Sequence, residues 1–327
     1  MEKISVYAFD IEKNNYKEAL LDGFSKIQFN KIVKSDDTIL IKPNLTWPIY
    51  KKGVTTTSKL LDHLSALLKN KCTKVIVAES DGCNSAWTAE QCFIGHKFLN
   101  IAKKNGFKLV NLTKKPAILK RVKVCDEIIR LKVSKYILDK IDVMITVPVL
   151  KTHIATEVSL GLKNQWGCLP NPNRMLYHPF LHKSIVAVNK IYKPKISVID
   201  ATYGLSGNGP INGTPIKLNK IIISNNVPAL DIITCSFMGI PFEKVEHLKI
   251  AKKELISNFD LNSASIFGDL EPIFKFEMYK SFYDKITSKI MFNKQLNDMF
   301  YSSIFSGLFQ KFLNFYKMLF KKESAYY

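Results

Sequence analysis

Arginine is almost missing from this 327-residue chain: Arg121, Arg130 and Arg174 are the whole supply, and lysine carries the other 45 positive charges. The net charge of +20 invites an anionic partner, yet readers of base edges and phosphates depend on the planar guanidinium fork. No zinc finger, helix-turn-helix or RNA-stacking motif is present either, so the sequence argues against nucleic acid. Cysteine is sparse and scattered. Cys72, Cys83, Cys92, Cys125, Cys168 and Cys235 never form a C-x-x-C pair, which removes local support for a ferredoxin cluster or zinc ribbon. Reduced, mostly buried thiols are the expectation. No apolar run reaches the roughly 18 residues that crossing a bilayer needs. The segment Met1–Tyr7 lacks the charged-then-apolar order of a signal peptide, so the expected location is the cytoplasm. A Walker loop, the dinucleotide glycine fingerprint and a G-x-S-x-G elbow are missing as well.

What is there is a repeated pattern. Five apolar, β-branched segments end on a charged or amide side chain next to glycine, proline or threonine. They are Ile39 to Asn44, Val75 to Gly82, Ile145 to His153, Val198 to Gly204 and Ile221 to Asn226. With helical repeats between them, through Leu20, Phe24 and Ile27 and again through Leu60, Leu61, Leu64 and Leu68, the rhythm is that of right-handed strand–helix–strand crossovers. The predicted fold is α/β: a mostly parallel, Rossmann-like sheet with helices on both faces and a hairpin inserted over 117–133. Strands are expected at 3–9, 74–79, 108–112, 142–149, 195–200 and 220–224, and helices at 157–166, 182–192 and 229–239. In such a sheet ligands lie outside the carboxyl ends of the strands, so the five polar endings read as one pocket.

Composition changes near Glu271. Residues 271–327 hold 16 of the 37 aromatic residues and almost no glycine or proline. The reading is an α/β domain over 1–270 followed by a basic, aromatic-rich helical extension over 271–327. From Phe300 on, Ile304, Leu308, Phe312 and Leu319 form a stripe flanked by aromatics and lysines. Such a helix suits a membrane interface, on the inner face for a cytoplasmic protein; packing on the sheet or on a second subunit of a homo-oligomer is the other reading.

Three lysines stand at or near strand ends. Lys42 precedes Pro43-Asn44, where proline halts the ladder and the amide can orient a ligand or cap a turn. Lys151 ends another strand two residues before His153, and Lys163 opens the Lys163-Asn164 pair. If the three ammonium groups converge, they call for an anion between them or for lowered lysine pKa values; the alternative is that each reaches outward to water. His153 suits acid–base work near neutrality. Asp200 can serve as metal ligand, base or carboxylate orienting a lysine. Asp231 suits a helix start. The stretch Gly204–Pro215, with Gly207 and Gly209, is either an anion-holding nest or a connecting loop. His178 and His182 are spaced for one helical face, but Pro179 opposes helical geometry at His178, and no metal site is assigned.

Taken in order, Ile41-Lys42-Pro43-Asn44-Leu45, Gly53-Val54-Thr55-Thr56, Val77-Ala78-Glu79-Ser80, Val147 through His153, Leu162-Lys163-Asn164 with Trp166-Gly167, Val198-Ile199-Asp200 and Gly207-Asn208-Gly209-Pro210 resemble the family known as domain of unknown function 362, over roughly residues 38–240. The resemblance implies the same fold and a shared site at Lys42, Asn44, Glu79, Lys151, His153, Lys163, Asn164, Asp200 and Gly209, and names no reaction. Many relatives carry an attached ferredoxin-like domain with clustered cysteines; this chain has none. Together the residues support an enzyme acting on a small anionic metabolite. His153, Lys151 and Asp200 are assigned to catalysis, and Lys42, Asn44, Glu79, Lys163, Asn164, Gly207 and Gly209 to binding. No cofactor is assigned. A membrane-surface accessory protein of lipid-linked or envelope assembly, and a redox or metal-dependent protein, are the alternatives.

Overall fold

β-Branched runs place alternate side chains on opposite faces of a sheet, and here both faces are covered. The computed structural model describes residues 5–11, 15–71, 74–255, 264–268, 270, 275–280 and 282–302. Its strands are β1 (Ser5–Asp10), β2 (Thr38–Pro43), β3 (Lys74–Glu79), β4 (Lys108–Asn111), β5 (Ala117–Val124), β6 (Glu127–Ser134), β7 (Val143–Val147), β8 (Val149–His153), β9 (Glu157–Ser159), β10 (Ile196–Asn208), β11 (Asn212–Ser224) and β12 (Ser265–Phe267). The main sheet runs β12-β1-β11-β10-β7-β2-β3-β4, and β8 and β9 extend it from β10. Pairing is parallel from β10 through β7, β2 and β3 to β4, and antiparallel where β11 lies between β10 and β1.

Ile39, Ile41, Val75, Val77, Val143 and Ile145 point to one face, packed under helices Tyr16–Lys26, Ser58–Lys69 and Phe98–Asn105. Leu40, Ile76, Ala78 and Met144 point to the other, under helices Leu181–Tyr192, Val227–Phe237 and Glu246–Leu255 and the separate β5–β6 hairpin. Burying each of these larger side chains contributes about 1.5–3 kcal/mol, so a one-residue register slip would be costly for every central strand. Helix Val227–Phe237 begins where the sequence signals it: the Asn226 side chain accepts from the Ala229 amide, and Pro228 lies in the first turn.

Three expectations are corrected. The strand expected over 142–149 breaks at Pro148, whose missing N–H interrupts the ladder, and resumes as β8 through His153. The helix expected over 157–166 is the strand β9 followed by the short helix Gly161–Asn164. The two short strands expected at 195–200 and 220–224 extend into a long hairpin. Its ladder pairs Gly204 with Ile216 and Asn208 with Asn212, so most of the glycine-rich stretch is strand.

Helices Phe282–Phe292 and Lys294–Tyr301 pack on the α/β core. The Asn297 amide donates to the Met175 carbonyl (3.0 Å), Asn173 donates to the Tyr301 carbonyl (3.1 Å), and Asn208 donates to the Asp284 carboxylate (2.9 Å). The aromatic stripe from Ile304 onward, and Cys72, lie outside the described residues. Among the described residues no helix is long and apolar enough to cross a membrane, and Cys92, Cys125, Cys168 and Cys235 form no disulfide with one another.

Candidate functional site

Pairing in register brings the carboxyl ends of β2, β3 and β7 side by side, so the residues at those ends meet although far apart in sequence. Lys42, 1% exposed, donates from Nζ to Glu79 Oε2 at 2.6 Å and to the Pro43 carbonyl at 2.6 Å. The other Glu79 oxygen accepts from the Ser80 amide (3.1 Å). The pair neutralises itself, so Lys42 needs no external anion; with one partner removed, the remaining charge would be stranded. A Cβ at Gly167 would collide with the Glu79 carboxylate and crowd the Lys42 ammonium, so backbone seals the pair from that side.

Lys151 is held differently. Its fully buried Nζ donates to Asn44 Oδ1 (3.1 Å), Thr46 Oγ1 (3.1 Å) and the Val54 carbonyl (2.7 Å), all neutral oxygens. Burial first, then the charges of Lys163 and Lys42, push its pKa well below the usual lysine range, with Glu79 opposing. Three acceptors arranged around an amine with a depressed pKa make a structural anchor for the loop 44–57.

Lys163 sits on helix Gly161–Asn164, whose start is fixed by Asp231: its carboxylate accepts from the Gly161 amide (2.8 Å) and the Leu162 amide (2.7 Å). The helix-start role expected for Asp231 is thus exerted on another helix than its own. Asn164 anchors the far end, donating to the Lys42 carbonyl and to Thr146 Oγ1, both at 2.9 Å. Thr146 continues to Gln165 and Gln165 to Asn189, each at 2.8 Å, and Asn189 returns to the Leu162 carbonyl at 2.7 Å. Asn164, Thr146, Gln165 and Asn189 thus satisfy one another under the helix, while the buried Ser197 hydroxyl beside Gly161 makes no hydrogen bond with any described residue.

The Lys163 ammonium is the exception. Half-buried, it makes no hydrogen bond or ion pair with any described residue, and desolvation followed by the neighbouring Arg174 charge lowers its pKa to about 8, with Cys83 opposing. Arg174 adds a second cation without an acidic partner among the described residues: its guanidinium donates there to the carbonyls of Leu169 (3.2 Å) and Asp81 (2.8 Å). Burial and Lys163 press His153 well below the ordinary imidazole range, and His178 down to about 4. The Ala155 amide donates to His153 Nδ1 at 3.1 Å, so a neutral His153 carries its proton on Nε2. His153 is then a hydrogen-bond donor, and Lys163 is the group tuned for proton transfer near neutral pH.

Asp200 lies apart from this cluster. Its carboxylate accepts from the Thr57 amide (2.7 Å), the Thr202 amide (3.1 Å) and Thr202 Oγ1 (2.6 Å), and burial raises its pKa. It thereby secures the entry to helix Ser58–Lys69 and the bend of β10. Gly207 has its N–H donated to the Glu277 carbonyl (2.7 Å), while its own carbonyl accepts from Thr152 Oγ1 (2.9 Å). Gly209 donates to the Gly207 carbonyl and accepts from the Ile154 amide, and a Cβ there would collide with the Thr152 carbonyl. Gly209 serves close backbone packing, whereas Gly207 is required by its positive φ of 99°.

His178 and His182 diverge. His178 meets Trp166 edge-on with ring centres 6.2 Å apart, while His182 lies parallel to His247 and Phe292. Both His247 ring nitrogens are buried without a partner. Among the described residues no group of three or more His, Cys, Asp or Glu side chains is arranged to hold a metal. Of the predicted residues, the fold brings together Lys42, Glu79, Asn44, Lys151, His153, Lys163 and Asn164. It adds Arg174 and Thr46, which motif reading passed over. The signal for Arg174 was its rarity, and for Thr46 its position two residues after Asn44, within turn reach.

Comparison with known proteins agrees with the residue pattern. The model of the family described as "Domain of unknown function (DUF362)" matches residues 39–236. The chain is 27% identical over 221 residues to the thylakoid-associated protein sll1697 of Synechocystis sp., covering 64% of this chain and 65% of that one, slightly under two thirds of the relative's length. A crystal structure of a Thermotoga maritima protein aligns with a TM-score of 0.32 at 13% identity, over 56% of this chain and 50% of the other.

Proposed function

The chain belongs to the DUF362 family, and on that premise we propose that it is an enzyme that holds a small phosphorylated, carboxylated or nucleotide-type anion at the ends of β2, β3 and β8. The observation that carries this reading is Lys163, a half-buried ammonium without a partner among the described residues, beside a guanidinium whose described acceptors are neutral carbonyls. Two adjacent cations in a partly desolvated setting are stable only with negative charge close by. Their ligand is thus an anion held by a bidentate fork and a point charge. His153 contributes Nε2–H to it, and Lys163 exchanges a proton with the bound molecule at neutral pH. Lys42, Glu79 and Lys151 form the rigid floor.

Thermal unfolding with phosphate, pyrophosphate, citrate and nucleotides tests the assignment. Parent protein and Lys42→Met/Glu79→Leu gain several degrees from at least one anion, and Lys163→Met gains none. Equal stabilisation of Lys163→Met by every anion that stabilises the parent rejects it.

The name of the Synechocystis relative favours a second reading, attachment to a membrane surface. It rests on residues 300–327, and flotation of the intact chain and of a chain lacking them with vesicles tests it. An unchanged soluble distribution for both rejects that anchor.

A further inference from the structure

The loop that cages Lys151 has two opposite sides. Inward, Asn44, Thr46 and the Val54 carbonyl satisfy the buried amine. Outward, Ile49 is 57% exposed, while Tyr50, 40% exposed, turns its hydroxyl inward toward Thr57. Against this loop lies the turn after helix Ala89–Gly95: a Cβ on Gly95 would run into the Pro48 carbonyl and Ile49 Cγ2, and the next residue back, Ile94, is 61% exposed. Trp47 and Trp87 meet edge-on at 5.4 Å beneath, and His96 Nε2 lies 3.0 Å from the Trp47 carbonyl, so the two segments form one rigid knob.

Its charge is one-sided. Segments 44–61 and 91–107 contain Lys51, Lys52, Lys59, Lys97, Lys103 and Lys104 and no aspartate or glutamate, although Lys104 is paired with Asp62 at 2.7 Å and so does not add to the surface charge. Lys51 and Lys52 fold against the Trp47 and Tyr203 rings, with their charges on the same loop as Ile49 and Tyr50. Adjacent exposed isoleucines would ordinarily be a solubility liability. With Lys51, Lys52 and Lys97 beside them they match a bilayer interface, with apolar side chains entering the headgroup boundary and ammonium groups meeting anionic lipid.

We propose that the surface formed by Ile49 and Ile94, with Lys51, Lys52 and Lys97, docks on a bilayer bearing anionic headgroups, bringing the strand-end site to the membrane surface. The proposal does not depend on the anion reading of Lys163.

Flotation of the full chain with phosphatidylcholine vesicles, with and without about a third phosphatidylglycerol, tests it. The parent chain floats with the anionic vesicles and is released by high salt. Ile49→Ser/Ile94→Ser weakens binding about tenfold or more, and Lys51→Glu/Lys52→Glu/Lys97→Glu about a hundredfold. Thermal unfolding of each variant stays at the parent value because all five positions are on the outer side of the loops. Three outcomes overturn the proposal: a parent chain that never floats, a double-serine variant that floats like the parent, or a parent dimer that the double-serine variant dissociates, which would make the patch a contact between copies.

Discussion

Lys42 and Lys163 reach neighbouring strand ends, and they differ in what answers their charge. Lys42 has Glu79 at 2.6 Å inside a sealed pocket, whereas Lys163 keeps part of its surface open and has no acidic partner among the described residues. The first is a closed electrostatic unit that holds two strands together; the second is an unfinished one, which the proposed anion would complete. Burial alone therefore does not distinguish a structural lysine from a binding lysine. The counter-charge does.

The largest expected effect lies on the closed side. Glu79→Gln leaves the Lys42 ammonium buried without its anion and costs about 3–5 kcal/mol of stability in chemical denaturation, while Lys42→Met/Glu79→Leu recovers most of the loss because no charge is stranded. A double variant as unstable as the single one would mean that packing, and not charge, sets the cost.

Acid acts on the histidines around the open side. His178 and His182 are both held near 4 chiefly by burial, against an ordinary value of 6.5. Between those limits the unfolded chain binds more protons than the folded one, so their contribution is complete above pH 6.5 and is lost as pH falls to 4. Together they account for about 2–4 kcal/mol. Replacing both with phenylalanine reduces the slope of the stability profile in that window, while His96, His153 and His247, also held down by burial, keep the remainder; an unchanged slope would assign the acid sensitivity elsewhere.

Anion binding sharpens the comparison further. Lys163 is protonated below its value of about 8 and loses its proton above it unless an anion holds it. Affinity is therefore level below pH 8 and then falls about tenfold per pH unit, read by calorimetric titration with whichever anion stabilises the protein. A pH-independent affinity through 9 would remove Lys163 from the ligand. The smallest effect is on the empty protein: Lys163→Met raises stability at pH 7 by about 1 kcal/mol, since the folded state no longer tolerates a desolvated cation. That advantage is present below pH 8 and vanishes as pH rises from 8 to 10.5, where the unfolded lysine also loses its proton.

Much of this arrangement was legible in advance. Alternating β-branched runs that end on polar residues located the central strands, and the order Lys42, Glu79, Lys151, Lys163 placed candidates at their ends. The division of labour among them was hidden. Lys42 and Glu79 stand 37 residues apart and become partners through the β2–β3 register, which pairs Ile41 with Val77. Asp200 looks equally catalytic as a strand-end carboxylate, yet its oxygens accept from the amides of Thr57 and Thr202. The glycines over 204–215 suggest a loop, because composition cannot weigh the long β10–β11 ladder that overrides local preference.

By itself, the sequence determined the layered α/β architecture and the end of the sheet at which chemistry-bearing residues gather, because side-chain periodicity and strand punctuation are local properties. Only the tertiary structure decided which charges cancel and which stay open. Electrostatic partnership depends on distances of a few ångströms between segments remote in the chain, and those distances exist only once the strands are in register and the site has lost its water.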